Sequence, residues 1–270
     1  MSARLVDVMK TVVPYKAYAP LRSSFRFVAA LKYRGTDYTC PFCGGRFARL
    51  MPGGFNFPVL REKQVIGAGP RENAVCPRCY SQDRERLVYL FLQAKQPEIF
   101  SEPRALLHVA PEPTLSAKFR ACPRLKYLAA DLDSHLADVQ MDITAIGQPD
   151  ASYDAIVCNH VLEHIPDDRK AMSELYRVLK PGGFAILQVP ISATTPTYED
   201  FTIEDPRARE EHFGQYDHVR IYGHDYVDRL RSVGFEVTTY AATDFLEAKR
   251  VREFALNPDE RVYVATKPRS

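Results

Sequence analysis

Four cysteines stand in two Cys-x-x-Cys pairs, Cys40/Cys43 and Cys76/Cys79, with 32 residues between the pairs. Each pair offers two thiolates from one tight turn, and two pairs complete the tetrahedral set that zinc prefers. No position is then left for water, so the chemistry expected is structural: a bound Zn²⁺ that supplies folding energy to a short segment. A redox dithiol would need only one pair. Further along, Asp131 ends the run LKYLAAD (125–131). Open α/β sheets bind ligands at the carboxyl ends of their strands, so a cofactor carrying a ribose would meet this carboxylate. The bland alternative is a turn or helix-cap aspartate. A third group is a set of histidines, His160, His164, His212, His218 and His224, which could remove a proton from a bound hydroxyl.

These residues need elements to hold them. ALLHVA (105–110), LKYLAAD (125–131) and SYDAIVCN (152–159) are short and almost continuously apolar, as strands buried on both faces are. DVQMD (138–142), FAILQV (184–189), FEVTTYAA (235–242) and RVYVATK (261–267) complete a set of seven. Helices are expected at 81–96 with Ser81 as cap, at 114–122, at 166–180 and at 225–233. Pro166 suits a first turn, and Lys180-Pro181-Gly182-Gly183 stops the helix before it. Strands alternating with helices imply a parallel α/β sheet. The segments read as a basic arm (1–37), a zinc ribbon (38–80) and an α/β domain (81–270) entered through a bridging helix (81–96). A polar insertion at 191–224 is expected to be a long loop.

The chain has 270 residues, 46% apolar and 26% charged, with a net charge of +2. That excludes a strongly basic surface overall, although residues 1–39 hold seven Lys/Arg against Asp7 and Asp37. No apolar run reaches a membrane span and the N-terminus lacks a signal-peptide core, so a cytoplasmic protein is expected.

The run from Ala105 to Pro190 resembles the class I S-adenosylmethionine-dependent methyltransferases. The motifs that carry the resemblance are Val161-Leu162-Glu163-His164 after the fourth strand and Leu179-Lys180-Pro181-Gly182-Gly183 before the fifth. A four-cysteine ribbon ahead of such a domain also looks like a bacterial subgroup of these enzymes. The resemblance implies a Rossmann-like seven-stranded sheet with helices on both faces and the last strand antiparallel. It places Asp131 and Leu132 at the ribose, Asp142 and Ile143 at the adenine, and Asn159 and His160 by the methionine moiety and the acceptor. The family's first loop reads acidic-x-Gly-x-Gly; this chain reads His108-Val-Ala110-Pro111-Glu112-Pro113. Ala110 then stands for a glycine, His108 for the acidic residue, and Glu112 could recover a carboxylate for the cofactor's ammonium group.

The family builds acceptor-binding insertions where this chain has 191–224. There, His218 is expected as base, oriented by Asp217, with His160 as second choice and Arg220 or Tyr222 positioning the acceptor. An equally weighted alternative is that these side chains only pin the insertion down. The favoured function is methyl transfer to an oxygen of a small-molecule or carbohydrate-like acceptor. Two others stay open: an RNA methyltransferase using the ribbon and basic arm, and a non-catalytic ribbon protein on a methyltransferase fold.

Overall fold

The computed structural model describes residues 28–269, so most of the basic arm lies outside the described residues. After a helical turn at 28–32, strands β1 (Arg34–Thr39) and β2 (Arg46–Phe47) make a hairpin whose turn carries Cys40 and Cys43. β3 (Met51–Gly53) leads to helix α1 (Pro58–Glu62) and β4 (Val65–Ile66). β5 (Arg71–Val75) then pairs back on β3 and delivers Cys76 and Cys79. Both turns close alike: Gly44 N–H donates to the Cys40 carbonyl and Tyr80 N–H to the Cys76 carbonyl, each at 2.9 Å.

Helix α2 (Asp83–Lys95) bridges to the large domain. Its cap is Gln82, not Ser81: Gln82 N–H donates to the Glu85 carboxylate at 3.1 Å in a capping box. Ser81 is fully buried with its hydroxyl 3.4 Å from Cys40 Sγ, so the thiol cluster has claimed the side chain expected at the cap. Leu87, Val88, Phe91 and Leu92 bury the helix in the apolar layer under the sheet.

Past α3 (Glu98–Ser101), the large sheet is built from β6 (Arg104–Val109), β7 (Leu125–Asp131), β8 (Val139–Gln140), β9 (Tyr153–Asn159), β10 (Leu179–Gln188), β14 (Glu236–Ala241) and β15 (Arg261–Thr266). Their order is β14-β15-β10-β9-β6-β7-β8. β6 to β10 run parallel, and β15 lies antiparallel to both β10 and β14. Helices α4 (Pro113–Arg120) and α5 (Asp168–Val178) cross over between parallel strands. Separate apolar layers on the two faces explain why β6 and β9 read as unbroken apolar runs. Two expectations shift. Pro166 lies ahead of α5, which Asp167 caps by accepting the Lys170 N–H at 3.0 Å. Lys180–Gly183 are drawn into β10 as an irregularity between Leu179 and Phe184, with Gly182 at φ +78°.

The insertion is ordered, which corrects the long loop expected of it. β11 (Ile191–Ser192) pairs with β4. β12 (Tyr198–Glu199) pairs with β13 (Arg220–Ile221), and α6 (Pro206–Phe213) lies between them in the chain. Val59, Leu60 and Val65, from between the cysteine pairs, pack with Phe213 and Ile221 of the insertion. Local composition could not show this, because each half of that small core is too sparse to bury itself. After β13 the chain continues through α7 (Tyr226–Arg231), β14 and α8 (Ala248–Glu253). No described helix is long and apolar enough to cross a membrane.

Candidate active site

The carboxyl ends of β6, β7 and β9 form one edge. Ala110, just past β6, takes φ +49°, the left-handed conformation that a glycine would adopt freely. Its N–H donates to the Ala130 carbonyl at 2.8 Å, which ties the first loop to β7. Glu112 is turned inward: one oxygen lies 2.7 Å from His108 Nε2 and the other accepts from Asn159 Nδ2 at 3.0 Å. The His108 and Asn159 contacts hold the Glu112 carboxyl below its usual range although burial pulls it upward. Asp131 ends β7 with its Oδ1 accepting the Asp133 N–H at 2.9 Å. It lines a cleft of about 430 Å³ with Leu132, which is 61% exposed. Asp142 is exposed, and its Oδ1 holds the Thr144 N–H and hydroxyl.

A second cavity, about 350 Å³, opens at the tip of β9. His160, Glu163, His164 and His218 face it from the domain side; Gly54, Gly67 and Arg84 face it from the ribbon and bridging helix. The ribbon segment thus forms a wall of this cavity. Gly67, at φ +88°, brings its backbone so close that an added Cβ would sit 3.6 Å from the His160 ring. His160 itself is held at φ +55°, a conformation seldom taken by a residue with a side chain. Its N–H donates to the Gln188 carbonyl at 2.7 Å, which fixes the turn after β9.

Two residues lining the cavity carry buried polar atoms without a hydrogen-bond partner: His160 at Nε2 and Glu163 at both carboxylate oxygens. Such groups are costly to leave unpaired, and their convergence makes the cavity a candidate ligand site. Burial pushes the His218 imidazole down to about 4, outweighing the pull of Glu163. His160 is also lowered, by burial and then by Arg84. Both rings are therefore neutral at physiological pH. Arg84 was not singled out from the sequence, where it read as one more charge on a helix; its charge acts on Glu112 and His160 alike.

Several expected roles change. Asp217 pairs with His164 (Nδ1 to Oδ2, 3.3 Å) and not with His218, so it does not orient the expected base. Arg220 and Tyr222 do not reach the cavity. The Arg220 guanidinium is buried and donates to the carbonyls of Leu162, Ile165 and Pro166, and Tyr222 OH donates to Asp168 at 2.7 Å. They fasten the insertion to the turn at 162–168, and Val219 N–H to the Glu163 carbonyl at 3.0 Å completes the fastening that sets His218 beside Glu163. His108 is wholly buried between Phe119 and Tyr127, so it holds Glu112 from behind and presents no face to a cofactor. Ile143 is 3% exposed and packs into the core below the edge, which leaves Leu132 as the exposed apolar group there.

The four ribbon thiols converge. Cys40 and Cys79 Sγ stand 3.5 Å apart, Cys43 and Cys76 Sγ 3.8 Å apart, and all four lie within 4.8 Å of one another. Thiolates about 2.3 Å from a tetrahedral zinc stand roughly 3.8 Å apart, so the donor set fits that ion.

Residues 113–187 match the family described as Methyltransferase domain. A Mycolicibacterium smegmatis protein named "Probable S-adenosylmethionine-dependent methyltransferase" is 32% identical over 33% of this chain and 31% of its own length. The ubiquinone/menaquinone biosynthesis C-methyltransferase UbiE of Pseudoalteromonas translucida is 32% identical over 38% of this chain and 46% of its own. The chain therefore spans less than half the length of these curated relatives. Among solved structures, the [4+2]-cyclase SpnF aligns at TM-score 0.47 and 18% identity, covering 71% of this chain and 84% of that one. Burkholderia thailandensis 1,6-didemethyltoxoflavin-N1-methyltransferase, with S-adenosylhomocysteine bound, aligns at TM-score 0.46 and 16% identity over 69% and 78%. The mostly parallel sheet is an α/β architecture, and residues 113–187 within it are similar to the family described as Methyltransferase domain.

Proposed function

We propose that this protein transfers a methyl group from S-adenosylmethionine to an oxygen of a small-molecule or sugar-like acceptor, and that its four ribbon cysteines hold a structural zinc ion. The observation that carries the reading is the 350 Å³ cavity whose unpartnered His160 Nε2 and Glu163 oxygens lie next to the β6–β7–β9 edge. Its volume suits a small acceptor.

The residues fit the cofactor's parts. Asp131 offers a carboxylate to ribose hydroxyls and Leu132 an apolar surface. Ala110 lets the backbone approach closely. The amino-acid end of the cofactor carries an ammonium and a carboxylate, which Glu112 with Asn159 and Arg84 complement in sign. S-adenosylmethionine brings a methyl group on a sulfonium, ready for in-line displacement. The protein's task is to exclude water, hold the acceptor in line and take its proton. His160 and His218 are the candidate bases; His160 has a free ring nitrogen in the cavity and lies at the strand tip.

Asp131→Ala is expected to weaken S-adenosylhomocysteine binding about tenfold to a hundredfold, the scale of losing hydrogen bonds to a charged group. Titration calorimetry would check it, and unchanged affinity would remove Asp131 from the site. His160→Ala is expected to lower turnover roughly a hundredfold while leaving S-adenosylhomocysteine affinity intact. The acceptor class is tested by fractionating products labelled from the methyl group in a cell extract. Label should fall in small molecules; label confined to RNA would overturn the reading.

A further inference from the structure

Glu163, His164 and His218 present one carboxylate oxygen and two imidazole nitrogens within 4.8 Å of one another. No ribbon cysteine contributes to this group, and it lines the cavity at the tip of β9. We propose that these three side chains bind a divalent transition-metal ion, distinct from the zinc of the ribbon, with its remaining coordination positions turned toward the acceptor cavity.

Glu163 is 1% exposed and neither of its oxygens has a hydrogen-bond donor. A buried carboxylate in that state is expensive unless a cation joins it. His160 Nδ1 lies 3.4 Å from one Glu163 oxygen, a long contact from a neutral ring that leaves the carboxylate charge uncompensated. One of the imidazoles carries the support that a metal-bound histidine has. Asp217 pairs with His164 Nδ1, which leaves Nε2 as the nitrogen able to ligate, and a carboxylate on the far nitrogen is the usual support of a metal-bound histidine. The His164 and His218 rings meet edge to face with centroids 4.6 Å apart, and each has a nitrogen within 4.8 Å of the other's and of a Glu163 oxygen. Val219 N–H on the Glu163 carbonyl and Arg220 on the carbonyls of Leu162 and Pro166 hold the His218 segment against the Glu163 turn.

Two histidines and one carboxylate suit manganese, iron, cobalt, nickel or zinc, and three protein donors leave one to three positions open. An acceptor with two adjacent oxygens, such as a vicinal diol, would fill two of them. The ion would favour the ionised form of the hydroxyl to be methylated, acting as a Lewis acid with no change of oxidation state. His218 then serves as a ligand and proton removal falls to His160. The ion's role in transfer rests on the methyltransferase reading; its binding does not.

The test titrates the full chain, ribbon zinc retained, with Mn²⁺ followed by electron paramagnetic resonance and with Ni²⁺ followed by calorimetry. Thiolate sites disfavour Mn²⁺, so the ribbon does not confuse the first signal. One saturable site is expected, with affinity falling at least thirtyfold in E163Q and in H218Q and unchanged in H212A, whose ring lies outside the cavity. S-adenosylhomocysteine binding by each variant verifies that it is folded. If the wild type takes up neither ion, or both variants bind as the wild type does, the metal site is overturned and the methyltransferase reading stands. Metal binding without any methyl transfer would have the opposite consequence.

Discussion

Replacing Cys76 with serine is expected to abolish stoichiometric zinc and to unfold the segment between residues 34 and 80 while the seven-stranded sheet survives. Cys76 is fully buried, and the ribbon's own core is four residues, Cys40, Phe47, Leu50 and Cys76, with a few half-buried neighbours. A core that small does not hold the two cysteine turns without an ion, whose apparent contribution in isolated zinc modules is on the order of 10 kcal/mol, and the shared core of Val59, Leu60 and Val65 with the insertion loses its anchor at that end. The consequence reaches the cavity. Gly54 and Gly67 belong to this segment and line the β9 pocket, so the wall should open when the ribbon unravels. Limited proteolysis should cut within 54–70 in the variant and not in the wild type. S-adenosylhomocysteine should still bind, because Asp131 and Asn159 end strands of the sheet and Ala110 is tied to β7. A Cys76→Ser protein that keeps its zinc and resists cleavage would show that the thiols are bystanders.

Arg86→Met is expected to cost about 3–5 kcal/mol, the range for removing one partner of a buried charged network. The side chain is fully buried inside α2, and its guanidinium donates to five carbonyls: Asn73, Ala74, Ser81, Phe254 and Ala255. It therefore joins the ribbon, the bridging helix and the end of α8 at one point. Methionine fills much of the volume but leaves the carbonyls without donors, and each buried unpaired group carries its own penalty. For a chain of this size the melting temperature should fall by roughly 10 °C. A shift of only one or two degrees would mean that water replaces the guanidinium. From the sequence, Arg86 reads as an ordinary charge on an amphipathic helix, and nothing local signals that both sides of α2 are covered.

The edge proposed for the cofactor was partly legible for a physical reason. A strand buried on both faces has to be apolar throughout, so β6, β7 and β9 announce themselves, and the polar residue that ends each one marks the edge of the sheet. Asp131 and Asn159 do end β7 and β9. His108 and Ile143 lie away from their expected places because position along a strand does not say which face a side chain takes once a loop folds over it. His108 turned under the loop to hold Glu112, and Ile143 turned into the core.

The cavity was legible only as a collection of histidines. Glu163 and His218 are 55 residues apart, and Gly67 and His160 are 93 apart; no periodicity links such pairs. Their meeting depends on β4 pairing with β11 and on the shared core of Val59, Leu60, Phe213 and Ile221. The amino-acid sequence by itself determined the seven strands, the two thiol pairs and the carboxylate at the end of β7, since each follows from local burial or spacing. Tertiary structure alone decided that the segment between the cysteines walls the cavity, that Asp217 serves His164, and that Arg220 and Tyr222 fasten the insertion. Those outcomes depend on which distant surfaces bury each other, a choice made by packing across the whole domain.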